Sequence, residues 1–301
     1  MASTTRASSV DASLEELKGA KKPTRPVLTP TEALLYAILV FYAVFSLLPF
    51  IFAFLSSFKP EAQVLAQPPS LLPQNPTLQH FQEIFQSREF PFPNYIMNSL
   101  LYAAVSAGLN VVLGAMAGYA FGRMEFPGKS ILFALTLAVL MIPSNLIMIP
   151  KFLVANSLGL VNTLGALIIP AAVTPVSVVL MTQFLKTLPR ELEESAMIDG
   201  AGRFRTFWQI IFPLIRPAMI TVAIFQFQGA WNDFIWPLLV MQDADKYTLT
   251  VGLTFFKGVH YTQFGLLLAG AMINVAPLVV VFFIFQRHFM KGVSTSGLAG
   301  R

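Results

Sequence analysis

Long uncharged stretches alternate with short polar ones along this chain, and the uncharged stretches have the length of membrane crossings. Residues 33 to 58, 90 to 122, 130 to 150 and 152 to 185 contain no Asp, Glu, Lys or Arg. A fifth run, Pro217 to Gln242, is broken only by Asp233, and a sixth extends from Phe264 to Gln286. A helix needs about 20 apolar residues to cross the hydrocarbon, so the longer runs hold uncharged loop as well as helix. The pattern predicts an all-α polytopic membrane protein with six transmembrane helices, near 33–57, 96–120, 130–150, 163–185, 218–239 and 264–286.

The polar pieces set the organisation. Residues 1–30, rich in Ser, Ala, Thr and Lys, read as a disordered cytoplasmic tail. The membrane domain is expected over 31–290, followed by a cytoplasmic tail, 291–301. Within the domain, 59–95 forms an external segment punctuated by prolines from Pro60 to Pro93, with one short helix at "LQHFQEIF". A cytoplasmic loop, 186–217, separates the fourth and fifth helices, and a second external loop covers 241–263. No internal repeat is strong enough to support an inverted-repeat transporter.

Composition agrees with a membrane protein. Of 301 residues, 55% are hydrophobic and 12% charged, with a mean hydropathy of +0.66; a soluble domain carries about twice that share of charge. Charge also orients the chain. An even number of crossings places both termini on one side, and that side holds 15 of the 20 Lys and Arg residues. Positive residues collect in the cytoplasm, so both termini and the 186–217 loop are expected there. The net charge of +5 follows from this asymmetry and implies no nucleic-acid partner. The first 30 residues lack the short apolar core of a cleavable signal. The chain has no cysteine, which removes disulfides and thiolate chemistry. His80, His260 and His288 lie far apart, outside any metal-ligand spacing, and are expected at interfaces.

Inside the crossings the informative residues are small or helix-breaking. Gly114, Gly118 and Gly122 form a ridge at spacing four that lets another helix approach closely. Pro143, Pro150, Pro170, Pro175 and Pro277 leave backbone carbonyls that must find partners in protein or in a wet cavity. "GRMEFPGKS", Gly122 to Ser130, is near a phosphate-binding loop, but its first glycine is one residue too distant and no strand precedes it. It reads as a turn between helices, and this chain is expected to bind no ATP by itself.

The 186–217 loop is the least membrane-like part. Pro189 suits the first turn of a helix, and Glu191, Glu193 and Glu194 place carboxylates at its positive end. Gly200-Ala201-Gly202 stops or turns that helix. A second helix follows with Phe204, Phe207, Trp208 and Ile211 on one face, ending at Pro213. Five cations face four acids between Lys186 and Arg216, whereas a helix lying on lipid would be mainly basic. Mixed charge beside aromatics suits a protein partner.

This segment resembles the cytoplasmic loop of the membrane subunits of binding-protein-dependent ABC importers, whose pattern is E-A-A, three residues, G, nine residues, I-x-L-P. Here it reads Glu194-Ser195-Ala196, Gly200, Ile210, Phe212-Pro213, departing at Ser195 and Phe212. "NSL" at Asn98, "AGYAFGRMEFPGK", "WNDFIWPLLV", "YTLTVGL" and "QRHFMKGVSTSGLAG" are similar to the smaller permease subunit of maltose-type carbohydrate importers, over about residues 30–301. The resemblance implies a non-catalytic subunit of a bacterial or archaeal cytoplasmic membrane. It would pair with a second permease subunit, two ATPase subunits and an extracytoplasmic solute-binding protein to import a sugar. It implies no cofactor on this chain, ATP and Mg²⁺ being used by the ATPases. It further implies that Glu194, Ser195, Ala196, Asp199, Gly200 and Arg203 couple to the ATPase, Ala196 and Gly200 by allowing close approach, and that Tyr247, Thr248 and Lys257 contact the binding protein.

Substrate contacts are read from residue chemistry. Asp233 is an acid inside an apolar run, roughly 22 Å from the run's cytoplasmic start, flanked by Trp231 and Trp236. Aromatic faces and hydrogen-bonding groups recognise sugars, so Trp231, Asn232 and Asp233, with Asn274 of the last helix, are pathway candidates; an interfacial aromatic belt accounts for the tryptophans equally well. An importer for a polyamine or glycerol phosphate, and a secondary transporter needing no ATPase, are the alternative functions.

Overall fold

The structure is a computed structural model that describes residues 29–87, 90–257 and 262–298, the side chains of 287–298 excepted. Residues 1–28 of the expected tail, Arg88, His260 and the His288 side chain lie outside the described residues. The chain divides into two units, residues 1–51 and 52–301. Helix α1, Pro30–Ser56, begins in the first; the Thr29 hydroxyl accepts from the Glu32 N–H while the Glu32 carboxylate accepts from the Thr29 N–H, so two orphan donors of the first turn are satisfied. Its side chains up to Leu55 carry large exposed apolar surface, as expected of a helix solvated by lipid.

In the second unit the main helices are α2 (Gln79–Gln86), α3 (Phe92–Arg123), α4 (Lys129–Leu140), α5 (Met148–Ser157), α6 (Leu164–Ala171), α7 (Pro175–Thr187), α8 (Glu191–Ile198), α9 (Arg203–Leu214), α10 (Arg216–Trp231), α11 (Ile235–Val240) and α12 (Phe264–Leu298). Among the described residues, Pro30–Ser56, Phe92–Arg123, Leu164–Thr187 and Phe264–Gln286 are long and apolar enough to cross a membrane, and the bent pair α9–α10 makes a fifth if counted as one. The short external helix expected at residues 78–85 is α2, and the helix α12 carries on through residues assigned to the C-terminal tail.

Three expected helices are divided, each at or beside a proline. The 130–150 run is α4, a turn over 141–147, and α5: Pro143 in a continuous helix would clash with the carbonyl of Val139. With 12 residues α4 is about 18 Å long, too short to cross by itself. The 218–239 run stops at Trp231 and restarts at Ile235, because Pro237 would clash with the Asp233 carbonyl. The 163–185 run is likewise interrupted between α6 and α7, at Ala172–Thr174 ahead of Pro175, where Thr174 and Ser177 cap each other reciprocally.

Pro170 strips the Ala166 carbonyl, four residues earlier, of its helical partner, and the break at Ala172–Thr174 leaves the Ala171 carbonyl without one. Each is satisfied by a side chain from another element. Trp236 donates its ring N–H to Ala166 O at 2.9 Å, and Asn110 of α3 donates to Ala171 O at 3.2 Å. The expected glycine ridge is also in contact with a helix. A Cβ added at Gly114, Gly118 or Gly122 would meet Ser177, Met181 and Leu185 respectively, so α3 and α7 approach backbone to backbone.

Among the described residues, burial falls into two cores. One gathers Phe92, Tyr95, Trp231, Trp236, Leu249 and Phe256. The other gathers Val111, Ala115 and Tyr119 of α3, Met181 and Leu185 of α7, and Phe207, Ile211 and Ile215 of the loop segment.

Candidate functional site

The 186–217 loop folds as two helices meeting at a fixed corner. In α8 the three glutamates occupy the first turn, at the positive end of the helix dipole. The helix ends because Gly200 adopts φ +80°, with its N–H bonded to Met197 O at 3.0 Å and the Ala201 N–H bonded back to Ala196 O at 2.9 Å. This pair of bonds is the Schellman closure, which requires a left-handed residue at that position. A Cβ at Gly200 would meet nothing within 4 Å, so the glycine is demanded by backbone conformation and by no crowding within this chain.

After the corner, α9 contains a π-helical segment, Phe207–Ile211. Phe207, Ile211 and the following Ile215 are buried against Tyr119, Met181 and Leu185, the Tyr119 and Phe207 rings lying 5.2 Å apart. Phe204, expected on the same face, is 74% exposed. The wider π turn shifts the residues after Thr206 around the axis, so Phe204 leaves the buried stripe. At Ile215 the chain bends by 76° into α10.

The glutamates of α8 are not equivalent. Glu193 is buried and forms an ion pair with Arg123 at 2.9 Å, and it also accepts from the Tyr119 hydroxyl at 3.3 Å. The Arg123 guanidinium donates to the carbonyls of Leu188 at 2.6 Å and Pro189 at 3.2 Å. Glu194, Ser195, Asp199, Gly200 and Arg203 are exposed, and the Ser195 hydroxyl is turned back onto Glu191 O at 2.7 Å. Ala196, 5% exposed, faces this chain's own interior together with Glu193, one helical turn away. The loop exposes Ile198, 87% exposed, and Phe204 along with the charged Glu194, Asp199 and Arg203. Arg123 and Glu193 escaped sequence reasoning. The only signal was that Arg123 closes a long uncharged run, and nothing distinguishes one glutamate in "ELEES" from another.

The phosphate-loop lookalike is a turn. Gly128 takes φ +81° and Lys129 spends its ammonium on Met124 O and the Glu125 carboxylate, at 2.7 and 2.9 Å.

The pathway candidates separate. Trp231 is 1% exposed, stacked on Phe227 at 5.8 Å, with its ring N–H bonded to the Asn274 carbonyl at 3.0 Å. Asn232 is exposed and bonds Gln228 O in its own helix. Asp233 is half-buried and accepts from the Tyr102 hydroxyl at 3.0 Å. Lys151 lies over the Trp236 ring, 3.7 Å from its centroid. Asn274 is half-buried, joined to Trp231 through its backbone.

Of the residues expected at the external surface, only Lys257 is exposed. Tyr247 is half-buried, its ring tilted against Phe255 with centroids 5.2 Å apart, and Thr248 is 1% exposed. The "YTLTVGL" segment is an internal strap: Asn98 donates to the carbonyls of Asp245 and Tyr247, and the Ser99 hydroxyl accepts from the Leu249 N–H at 2.7 Å. Thus "NSL" and "YTLTVGL" form one packed unit. Beyond the strap, hydrogen bonds from Lys246 and Asn162 hold the exposed Asp243 carboxyl below its ordinary range.

The model of the binding-protein-dependent transport system inner membrane component matches residues 110–295, from the centre of α3 through the helical loop and into α12. The chain belongs to this family. Among relatives of the permease, the arabinooligosaccharides transport system permease protein AraQ of Halalkalibacterium halodurans is 35% identical over 282 residues, 93% of this chain and 100% of its own. The diacetylchitobiose uptake system permease protein NgcG of Streptomyces coelicolor is 33% identical, covering 87% of each chain. The trehalose/maltose transport system permease protein MalG of Thermococcus litoralis is 32% identical over 87% of this chain and 94% of its own. The crystal structure of a bacterial ABC transporter importing the polysaccharide alginate shares the fold, with a TM-score of 0.77 at 21% identity over 88% of this permease and 100% of that chain.

Proposed function

We propose that this chain is one of two permease subunits of an ATP-driven importer for a sugar or sugar-like solute, with α8 as the helix that docks on an ATPase subunit. The observation that carries this reading is the loop geometry. A short helix, tied inward by Glu193 and ended by the Gly200 closure, presents Ile198 and Phe204 among exposed charges on the outside of an otherwise apolar chain. Apolar side chains in that setting mark a protein contact, and Glu194 can accept a charged hydrogen bond there. The oligosaccharides named for AraQ, NgcG and MalG support the substrate class.

In this reading the chain crosses six times with both termini in the cytoplasm. The third crossing is α4 continued through the Pro143 turn, and the fifth is α10 continued by α11. Solute arrives through a binding protein outside, and closure of the ATPase pair moves the loop against α7 and α10, to which it is joined. The test is reconstitution with a sister permease, ATPases and binding protein, followed by uptake of labelled oligosaccharide, polyamine and glycerol phosphate. ATP-dependent oligosaccharide uptake is expected, lost in Glu194→Ala and Gly200→Trp together with ATPase co-purification. Uptake driven by an ion gradient without ATPase would overturn the reading.

A further inference from the structure

We infer that Arg123 and Glu193 are positioning residues that fasten the docking helix to α3, so that a displaced loop moves α3 as well as the two helices continuous with it. The inference rests on the importer reading above. Covalently the loop joins only α7 and α10, while α3 ends at Arg123, more than sixty residues earlier in the chain. The guanidinium nevertheless bridges the α7–α8 junction at three points: Leu188 O, Pro189 O and the Glu193 carboxylate. The planar fork of arginine can reach several acceptors at once in a fixed geometry, which a lysine ammonium on a flexible stem does not reproduce.

Burial makes the contact specific. The Arg123 side chain is 3% exposed and that of Glu193 10%, so neither charge can exchange its partner for water. One helical turn before Arg123, the Tyr119 hydroxyl takes the second oxygen of the same carboxylate, and the Tyr119 ring packs on Phe207. Both halves of the loop are thereby held on the cytoplasmic end of α3. The glycine ridge holds α3 against α7, so a push on α8 has a rigid route into the bundle. Neither residue lies on the exposed face of α8; both act through its placement.

The assembled complex in lipid vesicles tests this, reading ATPase co-purification and solute taken up per ATP hydrolysed. Glu193→Gln is expected to keep the ATPase bound while uptake per ATP falls about tenfold, a typical coupling factor between sites. Arg123→Lys, which keeps the charge but not the fork, should fall between, and Tyr119→Phe should lose least. A purely structural role would lower the amount of complex and leave uptake per ATP unchanged, and an assembled Glu193→Gln complex with that wild-type ratio overturns the inference. If Glu193→Gln does not insert, Arg123→Lys and Tyr119→Phe decide the matter by the same ratio. ATPase that never co-purifies with the unaltered chain overturns this inference and the importer reading together.

Discussion

At the scale of single residues, position decides what chemistry leaves open. Glu191, Glu193 and Glu194 are identical side chains in one turn, yet only Glu193 meets a buried cation. Ala196 belongs to the resemblance motif and packs inward, whereas Ile198, outside the motif, is the most exposed apolar residue of the loop. Gly200 carries its role in its backbone. A non-glycine residue in the left-handed region costs roughly 1–2 kcal/mol, less for Asn, whose side chain bonds locally. Gly200→Ala should therefore weaken ATPase co-purification and uptake moderately, Gly200→Asn less, and Gly200→Trp most, since it also adds bulk at the exposed corner. Equal losses for Ala and Asn would argue that contact with the partner, and not the φ of +80°, explains this glycine.

At the scale of elements, prolines cut the helices and side chains from elsewhere repair them. Asn110, fully buried in α3, answers the Ala171 carbonyl left open at the break before α7. Asn110→Leu should leave Ala171 O unpaired in the bundle and lower stability by about 1–3 kcal/mol, seen as a lower unfolding temperature in detergent. An unchanged unfolding temperature would show that this bond adds nothing to stability. The same logic explains why the broken helices were half legible. Proline marks a break in any sequence, but the donor that answers it sits more than sixty residues away for both Ala171 and Ala166.

At the scale of the whole molecule, orientation is the main expectation still resting on charge counting. The absence of cysteine makes it accessible: Lys246→Cys and Lys257→Cys should react with a membrane-impermeant thiol reagent in intact cells, and reaction only after permeabilisation would invert the topology. By itself the sequence determined that the chain lives in a membrane, where its apolar runs lie, which loop is foreign to lipid and which family it resembles. Those properties are set by composition, period and spacing along the chain, which need no knowledge of which distant residues meet. Only the tertiary structure decided that "NSL" clasps "YTLTVGL", that Trp231 is packed within the chain, that Thr248 is an inner residue of a strap, and that Arg123 answers Glu193. Such pairings join residues far apart along the chain, and burial turns them from optional surface contacts into obligatory ones, because a polar group out of water must find a partner wherever the fold brings one.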